Sequence, residues 1–229
     1  MVGKNKLNKI DEDIWEYEYT HHKPPLHVRM RMVVVRFPSG GLWLYSPNPI
    51  DQDLLEELAI IGIVEHIIFP NCFHDLFFKK IQILYPKAKL WAAPGLVEKR
   101  KDLLFDGVLS KEKNEWPEIF DSLCMEGTPR SNEVVFFHKS SKSLICADLI
   151  FNINNENHQF MKIIWKLLGV WQKTSQNRGW KFMTKNKKSS KIGVDQILNW
   201  NIKRVVMAHG DILYPTEGQL KSVFSWLDG

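Results

Sequence analysis

Long apolar runs are missing from this chain. No stretch approaches the eighteen or so apolar residues that a membrane-spanning helix requires, so no transmembrane segment is expected. The opening MVGKNKLNKIDEDIWEYEY has basic residues but no apolar core after them, which argues against a secretory signal and makes a cytoplasmic location the expectation. Cysteine is scarce. Cys72, Cys124 and Cys146 form an odd set at wide spacing, with no CxxC pair to suggest a zinc ribbon or redox centre, so reduced thiols are expected. Cys124 and Cys146 lie in apolar, strand-like surroundings and read as core residues, whereas Cys72 lies in a loop that could do chemistry. Repeats of solenoid length, Gly-rich phosphate loops and nucleic-acid motifs are also absent.

Acid is absent from one long segment. Between Asn157 and Val194 there is no Asp or Glu, while eight lysines and Arg178 contribute +9, leaving about −4 for the rest of a chain whose net charge is +5. At 44% hydrophobic and 25% charged, the 229 residues are ordinary for a globular protein with a sizeable core, and a single domain over 1–229 is expected.

Period-two apolar patterns predict strands at 14–19, 28–37 and 42–46, the last two joined by the turn PSGG. Leu54, Leu55, Leu58 and Ile61 have helical spacing, and a strand follows at 64–69. Asp75 opens a predicted helix that stops at Pro86, and KLWAAP is a short strand. Further strands are expected at 120–125, 133–138 and 143–149, a helix near Asn157, and a closing helix, strand and helix. Two blocks of strands, each followed by helix, imply two sheets packed face to face with helices outside.

Three of these strands end alike. IIF runs into the loop of Asn71, His74 and Asp75; SLICA runs into Asp148; RVVMA runs into His209, Gly210 and Asp211. Apolar strands that deliver metal-competent side chains at their carboxyl ends can converge on one site at a sheet edge. Each residue could equally cap a helix or turn, as Asp75 could before its helix.

With these strand ends in order, the chain resembles the metallo-β-lactamase superfamily, and the stretches GGLWLYSP, PNCFHDLF, NEVVFFH and ADLIFN resemble a poorly characterised branch of unknown function. The resemblance implies an α+β fold, the four-layer αββα sandwich. The superfamily motif THxHxDH, laid on PNCFHDL, puts Asn71 and Phe73 at the two histidines of the first zinc site, Asp75 at the aspartate and Leu76 at the last histidine. A further ligand histidine would fall within 126–132, where EGTPRSN has none. The resemblance leaves Asp75, Asp148 and His209, the second-site set and bridging carboxylate, with His74 beside them as fourth ligand or proton shuttle. Such a set could hold a single zinc, iron or manganese ion, with Phe73 filling the vacated first site. The alternative is a hydrogen-bonded network of Asn71, His74, Asp148 and His209 that keeps the loops in place without metal.

His138, at the end of its strand beside a lysine, reads as a surface residue, and His21, His22 and His27 as a solvated loop. A basic helix and loop over about 157–191 is expected to be an insertion. Phe160, Ile163, Ile164, Leu167, Leu168 and Trp171 give it an amphipathic helix whose apolar face is expected in the core. The basic, aromatic-containing stretch 173–191 that follows suits an anionic ligand, a nucleic acid or an acidic membrane surface, or is simply a solvated loop. Two functions of different class fit these readings: a single-metal hydrolase acting on an anionic substrate with the basic segment as a lid, or a non-catalytic module on the same fold.

Overall fold

The computed structural model describes residues 6–110 and 113–228, so part of the amino-terminal stretch on which the reading of the leader rests lies outside the described residues. A seven-stranded sheet runs in chain order: β1 (Asn8–Asp11), β2 (Ile14–Lys23), β3 (Leu26–Arg36), β4 (Gly41–Tyr45), β5 (Ile63–Phe69), β6 (Lys89–Ala92) and β7 (Gly107–Val108). The first four strands pair antiparallel, and β4 to β7 pair parallel. The parallel half needs crossovers, and these are α1 (Gln52–Ile61), α2 (Phe78–Leu84) and α3 (Pro94–Lys99).

A second sheet contains β8 (Phe120–Cys124), β9 (Val134–His138) and β10 (Ser143–Cys146); beyond it a small ribbon pairs β11 (Phe151–Asn152) with β12 (Thr174–Ser175). The last strand, β13 (Arg204–Met207), returns to lie parallel to β10 at the edge. The remaining helices are α4 (Gln159–Leu168), α5 (Arg178–Met183), α6 (Lys187–Leu198) and α7 (Gln219–Phe224).

Both faces of both sheets are covered, which explains why these strands read as continuous apolar runs. In β3, Met32 and Val34 face the α1 side, while Val33 and Val35 face the other sheet. β4 divides in the same way into Leu42 and Leu44 against Trp43 and Tyr45. In the second sheet, Ile145 and Val206 point inward, while Leu144, Val205 and Met207 join the layer with Val194, Ile197, Val223 and Phe224 of α6 and α7. The result is helix, sheet, sheet, helix, the expected αββα sandwich.

Three local expectations are corrected. The stretch 173–191 is not a loop: Asn177 and Asn186 cap α5 and α6 by accepting from Trp180 N and Ser189 N, and Trp180 is buried. Residues 21–27 are the paired ends of β2 and β3, with His22 opposite His27. His138 is buried, sharing a 2.8 Å hydrogen bond with Ser141 Oγ and lying 5.5 Å from the Phe120 ring.

Burial pushes the His138 imidazole down to about 4 against the opposing charges of Asp13 and Asp11. The unfolded chain takes up this proton near pH 6.5, the folded chain only near 4. The contribution to stability is therefore intact above pH 6.5 and is lost as pH falls toward 4, by up to about 3 kcal/mol. His138→Gln should flatten the decline of unfolding free energy between pH 7 and 4.5 in denaturant titrations; an unchanged slope would assign that decline to other groups.

Candidate functional site

The site is assembled by strand ends. β10 and β13 are parallel with Cys146 opposite Met207, so the chain leaves both strands on the same edge, through Ala147 to Asp148 and through Ala208 to His209. β5 reaches that edge from the other sheet and hands on to Pro70, Asn71 and His74. Arg31 of β3 ties the sheets together there. Its backbone N–H donates to Ala208 O at 2.8 Å, and its buried guanidinium donates to Met207 O at 2.8 Å and Gly210 O at 2.6 Å while pairing with Glu16 and Glu18. Gly210 has φ +100°, and a Cβ there would lie 2.4 Å from Asn152 O, so the turn after His209 requires glycine.

His74, Asp148 and His209 each offer a ligand atom, all within 4.8 Å of one another. His74 Nε2 is 3.2 Å from Asp148 Oδ2, and His209 Nε2 is 3.5 Å from Asp148 Oδ1. The other nitrogen of each ring is engaged from behind. His209 Nδ1 donates to the Arg29 carbonyl at 2.9 Å, and His74 Nδ1 shares a 2.7 Å hydrogen bond with Ser46 Oγ. Ser46 is buried at φ +55°, a left-handed conformation uncommon for a non-glycine residue and frequent at functional sites. Phe151 stacks on His209 at 5.6 Å and fixes its plane.

A second carboxylate, the fully buried Glu133, supports Asp148. Glu133 accepts from the backbone N–H groups of Ala147 at 2.8 Å, Asp148 at 2.8 Å and Leu149 at 3.2 Å, and so shapes the turn that presents Asp148. Asn71 joins the two: its amide donates to Asp148 Oδ2 at 2.8 Å and Glu133 Oε2 at 3.2 Å, while its Oδ1 accepts from Phe73 N and His74 N. Burial alone would raise Asp148; His74, His209 and Asn71 outweigh it and hold the carboxyl at about 2. Burial and the Asp148 charge push Glu133 up to about 7, the expected division of one proton between neighbouring buried acids. Burial would lower His74, but Asp148, with Glu133 and Asp75 adding to it, raises it. His209 goes the other way, lowered by burial despite Asp148 and further by His74.

Of the four residues singled out in the sequence, three meet and Asp75 stands outside the group. Its carboxylate pairs with Arg100 and lies 3.8 Å from Lys99 Nζ, and it caps no helix, since α2 begins after Phe77 without a side-chain cap. Phe73 does not fill a vacated site: it is 49% exposed, with Lys99 Nζ 5.9 Å from its ring centre. Asn71, at a position matching one of the missing histidines, donates instead to Glu133 and Asp148. Cys72 is buried with its thiol raised by that burial, which disfavours the reactive thiolate. Glu133 and Ser46 were not picked out in the sequence; the only hint was an acid opening the apolar strand EVVFF within 132–138.

A cavity of about 340 Å³ opens over the three residues. Its wall is largely apolar, from Val28, Met30, Phe73, Leu76, Trp180 and Met183, and among the described residues its lining contains no lysine or arginine.

Comparison with known proteins agrees with this geometry. A family model described as Domain of unknown function (DUF4336) matches residues 11–188. No curated protein matches the sequence. Among solved structures, a metallo-β-lactamase from Hirschia baltica is similar with TM-score 0.67 at 12% identity, covering 97% of each chain. The metallo-β-lactamase FIM-1 from Pseudomonas aeruginosa, in a mono-zinc form, gives 0.65 at 12% identity over 97% of this chain and 94% of its own. The metal-soaked Flv1 flavodiiron core from Synechocystis gives 0.66 at 10% identity, over 98% of this chain and 61% of its own. The chain has the metallo-β-lactamase fold.

Glu133→Gln keeps the side-chain volume and one acceptor oxygen but sets an amide NH2 against the donors at the other oxygen, Asp148 N and the Asn71 amide. It should lower the unfolding free energy by about 2 kcal/mol in urea titrations. A change within experimental scatter would mean that those N–H groups do not depend on the carboxylate.

Proposed function

We propose that this chain, which belongs to the DUF4336 family, binds a single divalent transition-metal ion through His74, Asp148 and His209. The observation that carries this reading is the way both imidazoles are turned. Each has its Nδ1 engaged by an outer partner, Ser46 or the Arg29 carbonyl, and each aims its Nε2 at Asp148. With Nδ1–H donated to a carbonyl, a neutral His209 presents its Nε2 lone pair toward a carboxylate oxygen, an arrangement that only a shared cation or proton makes favourable. Outer partners of this kind are the usual means of fixing ligand tautomers. The 3.2 and 3.5 Å separations also suit the spacing of about 3.3 Å between two ligands of one tetrahedral ion with bonds of roughly 2.0–2.1 Å.

The donor set of two nitrogens and a carboxylate is compatible with zinc, iron or manganese, and such an ion would supply Lewis-acid polarisation of a carbonyl or phosphoryl oxygen. Asn71 and Glu133 hold the Asp148 turn in register, and Phe151 orients His209. The Asp148 charge favours the protonated form of His74, and a metal ion would compete with that proton, so affinity should weaken as pH falls.

Metal-dependent hydrolysis is a second reading, supported by the cavity that leads from solvent to these three residues. Its apolar wall suits a small, largely uncharged substrate. The anionic substrate expected from the basic segment finds no lysine or arginine in the lining.

The test is thermal melting of untagged protein, stripped of metal and then supplied with zinc, iron(II) or manganese. At a free concentration about a hundredfold above Kd, binding should raise Tm by about 5–10 °C, and Asp148→Asn and His209→Ala should each abolish the rise. No shift with any of the three ions would leave a hydrogen-bonded network in place of the metal site. A shift that survives in both variants would place the ion elsewhere.

A further inference from the structure

The apolar stripe of α4 does not all reach the core. Met161 and Trp165 are buried with Phe151, Ile153 and Val170, whereas Phe160, Ile163 and Leu167 are 46%, 56% and 67% exposed. These three fall at i, i+3 and i+7, so they form one ridge along the outer side of the helix. On the neighbouring helix α5, Phe182 is 78% exposed.

The ridge lies in the acid-free segment. Lys166 is exposed on the same helix, Lys173 is exposed just beyond it, and Arg178 is anchored at the carboxyl end of α4 by donating to Leu167 O at 3.1 Å. Partial burial together with the charges of Lys173 and Arg178 pulls the Lys181 ammonium below its usual range, so these three cations share a positive field. Glu156 reaches α4 from its amino-terminal side, accepting from Trp165 Nε1 at 3.2 Å. Lys191 differs, being paired with Asp195 and Asp228.

We propose that this face of α4 and its flanking cations seats on the surface of an anionic lipid bilayer, with Phe160, Ile163 and Leu167 entering the acyl boundary and Lys166, Lys173 and Arg178 meeting the headgroups. An in-plane amphipathic helix with basic flanks has the chemistry of such a surface. Charge complementarity selects the occupant. A second copy of the chain would bring two basic faces together, which like-charge repulsion opposes. A nucleic acid would answer the charge, but it offers no apolar phase for the aliphatic Ile163 and Leu167. The docking surface is independent of the metal reading, because none of these residues touches the three candidate ligands.

The experiment is co-sedimentation of the full chain with phosphatidylcholine vesicles, with and without phosphatidylglycerol. Binding is expected only with the anionic lipid and should weaken as salt rises. Ile163→Ser/Leu167→Ser should lower partitioning about tenfold or more, and Lys166→Gln/Lys173→Gln by about fivefold per lysine removed. All four positions are exposed, so both variants should melt as the parent does. The proposal fails if anionic vesicles do not bind the chain, or if the double serine variant binds them as well as the parent. It also fails if a short duplex DNA is held as tightly as the vesicles and equally by the serine variant, or if the parent forms a dimer that the serine changes dissociate.

Discussion

Two carboxylates, the fully buried Glu133 and the largely buried Asp148, lie beside one another at the edge where the two sheets meet, and much of the local structure answers the cost of holding them there. Isolated ions in such surroundings would be strongly unfavourable. Glu133 is served by three backbone N–H groups and an amide, and Asp148 by the same amide and the His74 imidazole, with His209 facing its other oxygen. These partners come from three strand ends, the backbone N–H groups after β10, Asn71 and His74 after β5 and His209 after β13, so the requirement for partners also fixes how the three strands terminate.

The sandwich makes this arrangement stiff. β10 and β13 run parallel and leave the sheet at the same level, while Arg31 spans from the first sheet to the carbonyls around His209. Gly210 lets the chain turn against Asn152, and Ser46 accepts a left-handed backbone to reach His74. Local strain and a required glycine at one edge are consistent with a site whose geometry is imposed by the sheets and not by its own loops.

Relative to the two-zinc motif that PNCFHDL resembles, the substitutions do more than delete ligands. Asn71 donates into both carboxylates from the position matching a histidine, and Asp75 is withdrawn into pairing with Arg100. His74, which has no counterpart in that motif, takes a place beside Asp148 and His209. The group of two imidazoles and one carboxylate is therefore differently composed from the one the aligned motif implies, although it stands on the same fold.

Much of the architecture was legible in the residues because both faces of each sheet are buried. Alternating apolar sets such as Val33 and Val35 against Met32 and Val34 leave long strand signals, and the polar residue ending each run marks the edge where the runs meet. That Asp148 and His209 would come together at that edge was legible for that reason. The sequence could not reveal which neighbour of the Asn71 loop turns inward. His74 and Asp75 are adjacent, and the choice depends on Ser46 drawing one side chain in and Arg100 drawing the other out, both from distant segments. Glu133, His138 and the exposed ridge of α4 were misjudged or missed on the same ground. Periodicity reports where apolar and polar side chains alternate, but whether a given face finds a partner depends on which element packs against it, and only the tertiary structure decides that.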